Sequence, residues 1–162
     1  WYVSARIQSL SFTTATGLFM LYSFINGLTL SVIFLAYTTT SIASTFFVTA
    51  GTFGAMSLYG YFTKKDLTSL GNLLFMLLIG LIIATVVNIF WANSTLYWIT
   101  TYAGIFIFVG LTAYDTQKIK RLLSGQEITE ESQKMALLGA LSLYLDFINL
   151  FLYLLRIFGD RK

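Results

Sequence analysis

The chain has 162 residues, 57% of them hydrophobic and only 10% charged, with a mean hydropathy of +0.77 and a net charge of +3. Soluble domains carry about a quarter charged residues, so this composition points to an integral membrane protein. Its apolar runs are continuous rather than alternating, which makes it helical and not a barrel. Histidine, cysteine and proline are absent, and that excludes Ser-His-Asp and Cys-His catalysis, thiolate or imidazole metal sites and disulfides. The small positive charge sits at loops, where membrane anchors belong, and gives no nucleic-acid role.

The opening Trp1-Tyr2-Val3-Ser4-Ala5 reads as the tail of an earlier apolar segment, so helices N-terminal to this stretch are expected. The first full span is about Thr13–Tyr37, with Tyr22, Asn26 and Thr29 on one face and Gly17 and Gly27 available for close helix approach. Asn26 has two readings, an interhelical hydrogen bond or a place in the lining of a pore. The second span, about Ser41–Phe62, is rich in small residues (Ala43, Ser44, Gly51, Gly54, Gly60) and ends at Lys64-Lys65-Asp66. The third, about Leu70–Phe90, has nothing more polar than Thr85 between Leu73 and Val87 and is expected to be the most lipid-exposed.

The fourth span, about Leu96–Gln117, closes on Tyr114-Asp115-Thr116-Gln117 before Lys118, Lys120 and Arg121. A polar hinge, Ser124–Glu131, follows; its acidic run Glu127–Glu131 reads as a solvated loop, and a short interfacial turn is expected to start at Ser124. Ser124 with Glu127 has capping-box spacing, whereas Thr129 meets Ser132 three residues on and not Glu or Gln. The fifth span, about Met135–Phe158, carries Ser142, Asp146, Asn149, Tyr153 and Arg156 at spacings that put all five on one helical face. A carboxylate in hydrocarbon costs several kcal/mol unless it faces protein or water. This helix is therefore expected at the centre of a bundle. Residues 1–162 read as one transmembrane domain, with no internal repeat.

Alternating spans bring Arg6, the Lys64-Lys65 loop and the Lys118–Lys134 stretch to one side, which should be cytoplasmic. Arg156, Arg161 and Lys162 disagree, because a last span that crosses fully delivers them to the opposite side. A full crossing is the reading adopted.

Asp115 and Asp146 lie on consecutive, antiparallel spans. Two facing carboxylates can share one proton and titrate as a pair. The shared proton ties the helices together; its loss pushes them apart and leaves hard anionic oxygens of the kind that suit Ca²⁺. The plain alternative for Asp115 is an interfacial residue paired with Lys118, one turn on.

At Tyr114-Asp115-Thr116-Gln117-Lys118-Ile119 and at Ala140–Gly159 (ALSLYLDFINLFLYLLRIFG) the chain resembles the transmembrane Bax-inhibitor-motif family, particularly its bacterial members. Phe24–Phe34 (FINGLTLSVIF) resembles that family's third helix, and the similarity runs over essentially the whole chain. The resemblance implies an all-α seven-helix membrane bundle with the last helix central, of which the five spans here are the third to seventh. It implies a non-enzymatic, pH-sensitive Ca²⁺ leak in the bacterial inner membrane. Asp115 and Asp146 would be the sensor, gate and candidate Ca²⁺ contacts, and Arg6 a gate partner. Asn26, Ser142 and Asn149 are candidate lining residues. No tightly bound cofactor is implied; Ca²⁺ is the permeant ion, and the partners are the bilayer, Ca²⁺ and other membrane proteins.

Two other functions stand beside it. One is a membrane-embedded regulatory partner, modulating a membrane-bound protease or a stress or cell-death response. The other is an intramembrane aspartyl protease, which also places Tyr-Asp on one helix and Asp on the next. Here the second aspartate lies in Leu143-Tyr144-Leu145-Asp146 rather than Gly-x-Gly-Asp, and a proline-containing docking motif is impossible without proline.

Overall fold

The computed structural model describes residues 5–162, so the reading of Trp1–Ser4 as the end of an earlier apolar segment lies outside the described residues. A short 3-10 turn, Ile7–Ser9, is followed by α1 (Phe12–Leu30), a one-turn α2 (Ile33–Ala36), α3 (Thr39–Phe62), α4 (Thr68–Phe90), α5 (Ser94–Leu123) and α6 (Glu130–Phe158). Among the described residues, five helical stretches are long and apolar enough to cross a membrane, the first comprising α1 and α2 together. Among the described residues the only β pairing is an isolated antiparallel bridge, Tyr37 to Arg161. This is an all-α membrane protein.

Side-chain caps set several helix starts. Ser11 accepts from Thr14 N, Thr38 from Ser41 N and Asn93 from Leu96 N, which satisfies backbone donors that a helix leaves open at its first turn. The start of α6 corrects the expectation for the Ser124–Glu131 connection. Thr129 is its N-cap, and Ser132 completes a reciprocal capping box, its hydroxyl accepting from Thr129 N at 2.9 Å. A serine hydroxyl accepts as well as the glutamate the pattern calls for. Glu130 and Glu131 then sit in the first turn, complementing the helix dipole. Ser124 instead follows the end of α5, its hydroxyl donating to Lys120 O.

α5 and α6 are consequently longer than their apolar runs. α5 continues six residues past Gln117 and α6 begins five before Met135, extensions of about 9 and 7.5 Å at 1.5 Å per residue. Lys120 and Arg121 occupy the last turn of α5, where cations suit the dipole.

The bundle has two chemically distinct ends. At the charged end, Gln117 is buried and fastens the α3–α4 loop twice, accepting from Leu67 N at 2.9 Å and donating to Lys65 O at 2.8 Å. Arg121 pairs with Asp66 at 2.8 Å, and Phe12 N donates to Glu130. At the tail end lie Tyr37–Thr38, the α4–α5 turn and the C-terminus. α6 therefore runs the full length of the bundle.

α5 packs on α3, α4 and α6, and α6 packs on α1, α3 and α5. These two helices share the centre. One core cluster joins Leu74, Leu81, Ile107, Phe108, Leu111, Leu150 and Leu154; a second joins Ile42, Phe151 and Leu155. Gly60 lies so close to Ala113 that a Cβ there would strike its backbone carbonyl, whereas Gly17, Gly27, Gly51 and Gly54 face open space. Close approach in the second span is thus a property of Gly60 and not of every small residue. The third span is also not the most exposed: 11% of its most apolar stretch is buried, against none for the first. Gly71 and Gly110 let α4 settle onto Tyr114 and bring Leu74 against α5.

Candidate functional site

The polar stripe of α6 survives folding as the wall of a cavity. A space of about 850 Å³ lies between α4 and α6 with α5 as its floor. Ser142, Asp146, Asn149 and Tyr153 contribute the α6 wall, and Asp115, Tyr114 and Lys118 come from α5. The other face of α6 supplies Phe151 and Leu155 to the second core cluster, so the 3.6-residue period by itself aims the polar positions at the cavity.

Asp146 is 5% exposed, and its Oδ2 is buried with no hydrogen-bond partner among the described residues. The carboxyl of Asp115 lies within hydrogen-bonding reach of it. Two ionised carboxylates offer no donor to one another, so a proton held between them is what this geometry accommodates. Their local supports are tight: Tyr114 rests against Gly71, and Ile119 against Gly139, where a Cβ would come within 2.6 Å of the isoleucine side chain.

Lys118 does not form an ion pair with Asp115 within 4 Å among the described residues; its ammonium lies 6.0 Å from the Tyr114 ring. It is nonetheless close enough for its charge to act on Asp115. A second, smaller cavity of about 150 Å³ lies toward the charged end and shares Asp115, Lys118 and Ser142 with the first. Asp115 therefore stands between the two spaces.

Asn149 donates its amide to Leu145 O at 2.8 Å, which leaves Oδ1 as its remaining acceptor. Ca²⁺ takes six to eight oxygen ligands. The two aspartates offer at most four, and the Ser142 hydroxyl and Asn149 Oδ1 line the same space. Among the described residues no group of three or more His, Cys, Asp or Glu could hold a metal. Such a donor set suits brief, weak coordination rather than a closed cage.

Asp115, Asp146, Ser142 and Asn149 thus meet at one cavity. Asn26 and Arg6 do not line it. Asn26 Nδ2 donates to the Tyr144 hydroxyl at 3.2 Å, and Tyr144 is flanked edge-on by Phe19 and Tyr22. This fastens α1 to a different face of α6. Arg6 is exposed and is the N-cap of the turn Ile7–Ser9. Asn72 and Thr85 of α4 also line the cavity. Thr85 donates to Leu81 O within its own helix.

The loop at the charged end carries its own carboxylate. Asp66 accepts from the Thr68 hydroxyl at 2.6 Å and from Thr68 N at 2.9 Å. These bonds, with Arg121 beside them, hold its carboxyl well below the usual carboxylate range.

The model of the family described as "Inhibitor of apoptosis-promoting Bax1" matches residues 1–162. The chain is 60% identical over 164 residues to the inner membrane protein YbhL of Escherichia coli (strain K12), covering 99% of this chain and 69% of that protein. It is 51% identical to a protein of Borreliella burgdorferi, with 99% and 69% covered, and 42% identical to one of Deinococcus radiodurans, with 98% and 69% covered.

Proposed function

Since the chain belongs to the Bax inhibitor family, we propose that this multi-pass membrane protein is a pH-sensitive Ca²⁺ leak of the bacterial inner membrane, gated by Asp115 and Asp146. The observation that carries this reading is the buried Asp146 carboxylate, whose Oδ2 has no donor among the described residues while Asp115 lies within reach. A shared proton joins α5 to α6 at low pH. When it leaves, two negative charges face each other in a medium that screens them poorly, and the helices separate. The same event creates an anionic oxygen site in the wall of a cavity large enough for a hydrated ion.

The weakness of the donor set favours passage over storage, because an ion must be bound well enough to enter and loosely enough to leave. The relative YbhL is named an inner membrane protein, which supports that location. The positive-inside orientation puts the charged end, with Lys64, Lys65 and Lys118–Lys134, in the cytoplasm.

The test is Ca²⁺ entry into proteoliposomes at pH 6, 7 and 8, for the wild type and for Asp115→Asn and Asp146→Asn. Flux that rises with pH in the wild type and is flat in both variants supports the gate. Variants that carry Ca²⁺ with an unaltered pH response rule it out. No flux above empty vesicles at any pH moves the function to a regulatory partner of another membrane protein.

A further inference from the structure

The basic residues of α5 and α6 at the charged end are Lys118, Lys120, Arg121 and Lys134, and all but the first are held. Lys120 donates to Tyr61 O at 2.6 Å with its ammonium 4.5 Å from the Tyr61 ring. Arg121 pairs with Asp66 at 2.8 Å, and Lys134 lies 3.7 Å from Glu130. Lys118 has neither a hydrogen bond nor an ion pair among the described residues. It is also the one cation among the described residues in the wall of either cavity, where the other charged groups are Asp115 and Asp146.

Helical spacing puts it there. Asp115, Lys118, Ile119 and Leu122 form one stripe of α5, and Met135, Leu138, Gly139 and Ser142 form a stripe of the same spacing on α6. Both line the smaller cavity, whose wall is apolar apart from Asp115, Lys118 and Ser142. Ile119 seated on Gly139 fixes how closely the helices approach at this level. The Lys118 ammonium is therefore one turn from Asp115, near enough for its charge to act on that carboxylate and too far to pair with it.

We infer that Lys118 is a specificity-determining charge of this cavity: an unpaired ammonium that opposes cations at the Asp115 and Asp146 carboxylates, and a divalent ion twice as strongly as a monovalent one. Coulomb energy is proportional to the charge of the ion, so a fixed charge beside the site sets a preference of valence and not mere access. The inference rests on the leak reading for its purpose. An ion must leave as readily as it enters, and a repelling charge beside a sparse donor set keeps Ca²⁺ from being retained.

The 162 residues contain no cysteine, so Ser142→Cys adds one thiol to the wall of both cavities beside Lys118. Its rates of reaction with two thiosulfonate reagents of similar size, one carrying trimethylammonium and one sulfonate, are measured in the full chain in detergent at pH 8. The chain without Ser142→Cys gives the background. Lys118→Gln should speed the cationic reagent about threefold and slow the anionic one about threefold, the scale of one unit charge a few ångström away in a largely aqueous medium. The ratio of the two rates should thus rise about tenfold, and Lys118→Arg should leave it where it was. The same rise should appear with both aspartates replaced by asparagine, where no carboxylate can follow the change. An unchanged ratio in Lys118→Gln overturns the inference. So does an equal gain for both reagents, which would make Lys118 a steric plug, and so does a thiol that neither reagent reaches. In proteoliposomes, Lys118→Gln should lower the half-saturating Ca²⁺ concentration about tenfold, the square of the effect on a singly charged ion. A ratio that responds in a protein carrying no Ca²⁺ keeps the charge assignment and removes the leak. An unresponsive ratio beside normal pH-dependent flux removes the assignment and keeps the leak.

Discussion

Asp115 and Asp146 lie within hydrogen-bonding reach across the seam between α5 and α6, and no protein donor among the described residues satisfies Asp146 Oδ2. Asparagine at either position supplies a permanent N–H donor where the wild type needs a proton. Asp146→Asn should therefore behave at pH 8 as the wild type does at pH 6, with Ca²⁺ entry reduced to the low-pH level. Asp146→Ala should differ, because it removes the donor together with the bond and leaves Asp115 half-buried without its partner. A flux assay that finds the asparagine and alanine variants alike at every pH would count against a shared proton.

The ion pair Asp66–Arg121 is exposed on the charged end and tests whether any acidic residue can set the pH response. The Asp66 carboxyl is held below its ordinary range by Thr68 and Arg121. What it contributes is present in full above the unfolded value near pH 4 and is lost as pH falls below it. Nothing in its protonation changes between pH 6 and 8. Asp66→Asn should leave the pH profile of Ca²⁺ entry where it was; a shifted profile would place the sensor in this loop rather than in the membrane.

Gly60 and Gly51 share a helix and differ in what a methyl group would meet. At Gly60 it would collide with the backbone of Ala113, which has no rotamer to yield; at Gly51 nothing lies within 4 Å. Gly60→Ala should lower stability by about 1–3 kcal/mol, as overpacking does. Gly51→Ala should be within about 0.5 kcal/mol of the wild type. Thermal unfolding in detergent distinguishes them, and equal melting temperatures would mean that α3 and α5 do not meet as closely as the geometry has it.

The fold class, the number of spans and the face on which Asp146 sits were legible because each follows from a single period or run length. Ser142, Asp146, Asn149 and Tyr153 meet one cavity as their spacing dictates. What was not legible depends on partners distant in sequence. Gln117 reads as the polar end of a span until Leu67 and Lys65 are beside it. Gly17, Gly27, Gly51 and Gly54 are indistinguishable from Gly60 until one of them finds Ala113. The start of α6 was misplaced because Ser132 was weighed only as a departure from glutamate. Its hydroxyl also donates to Glu127 O at 2.9 Å and Thr129 O at 3.0 Å. Tyr153 and Arg156 were visible as members of the stripe, but the second ring against the Arg156 guanidinium comes from Tyr97, more than fifty residues earlier.

Asn26 separates packing from lining, since both were open to a polar residue in the first span. In the structure its amide donates to the Tyr144 hydroxyl on a face of α6 that does not border the cavity. Interhelical hydrogen bonds in membranes are worth about 0.6 kcal/mol on average, with a maximum near 1.7. Asn26→Leu should cost stability on that scale, and so should Tyr144→Phe, which removes the same bond from the other side while keeping the ring that Phe19 and Tyr22 flank. Because the two substitutions delete one interaction, the double variant should lose little more than either alone. Neither should alter the pH midpoint of Ca²⁺ entry. A midpoint that moves with Asn26→Leu but not with Tyr144→Phe would return Asn26 to the ion path, since the bond would then be incidental to its role.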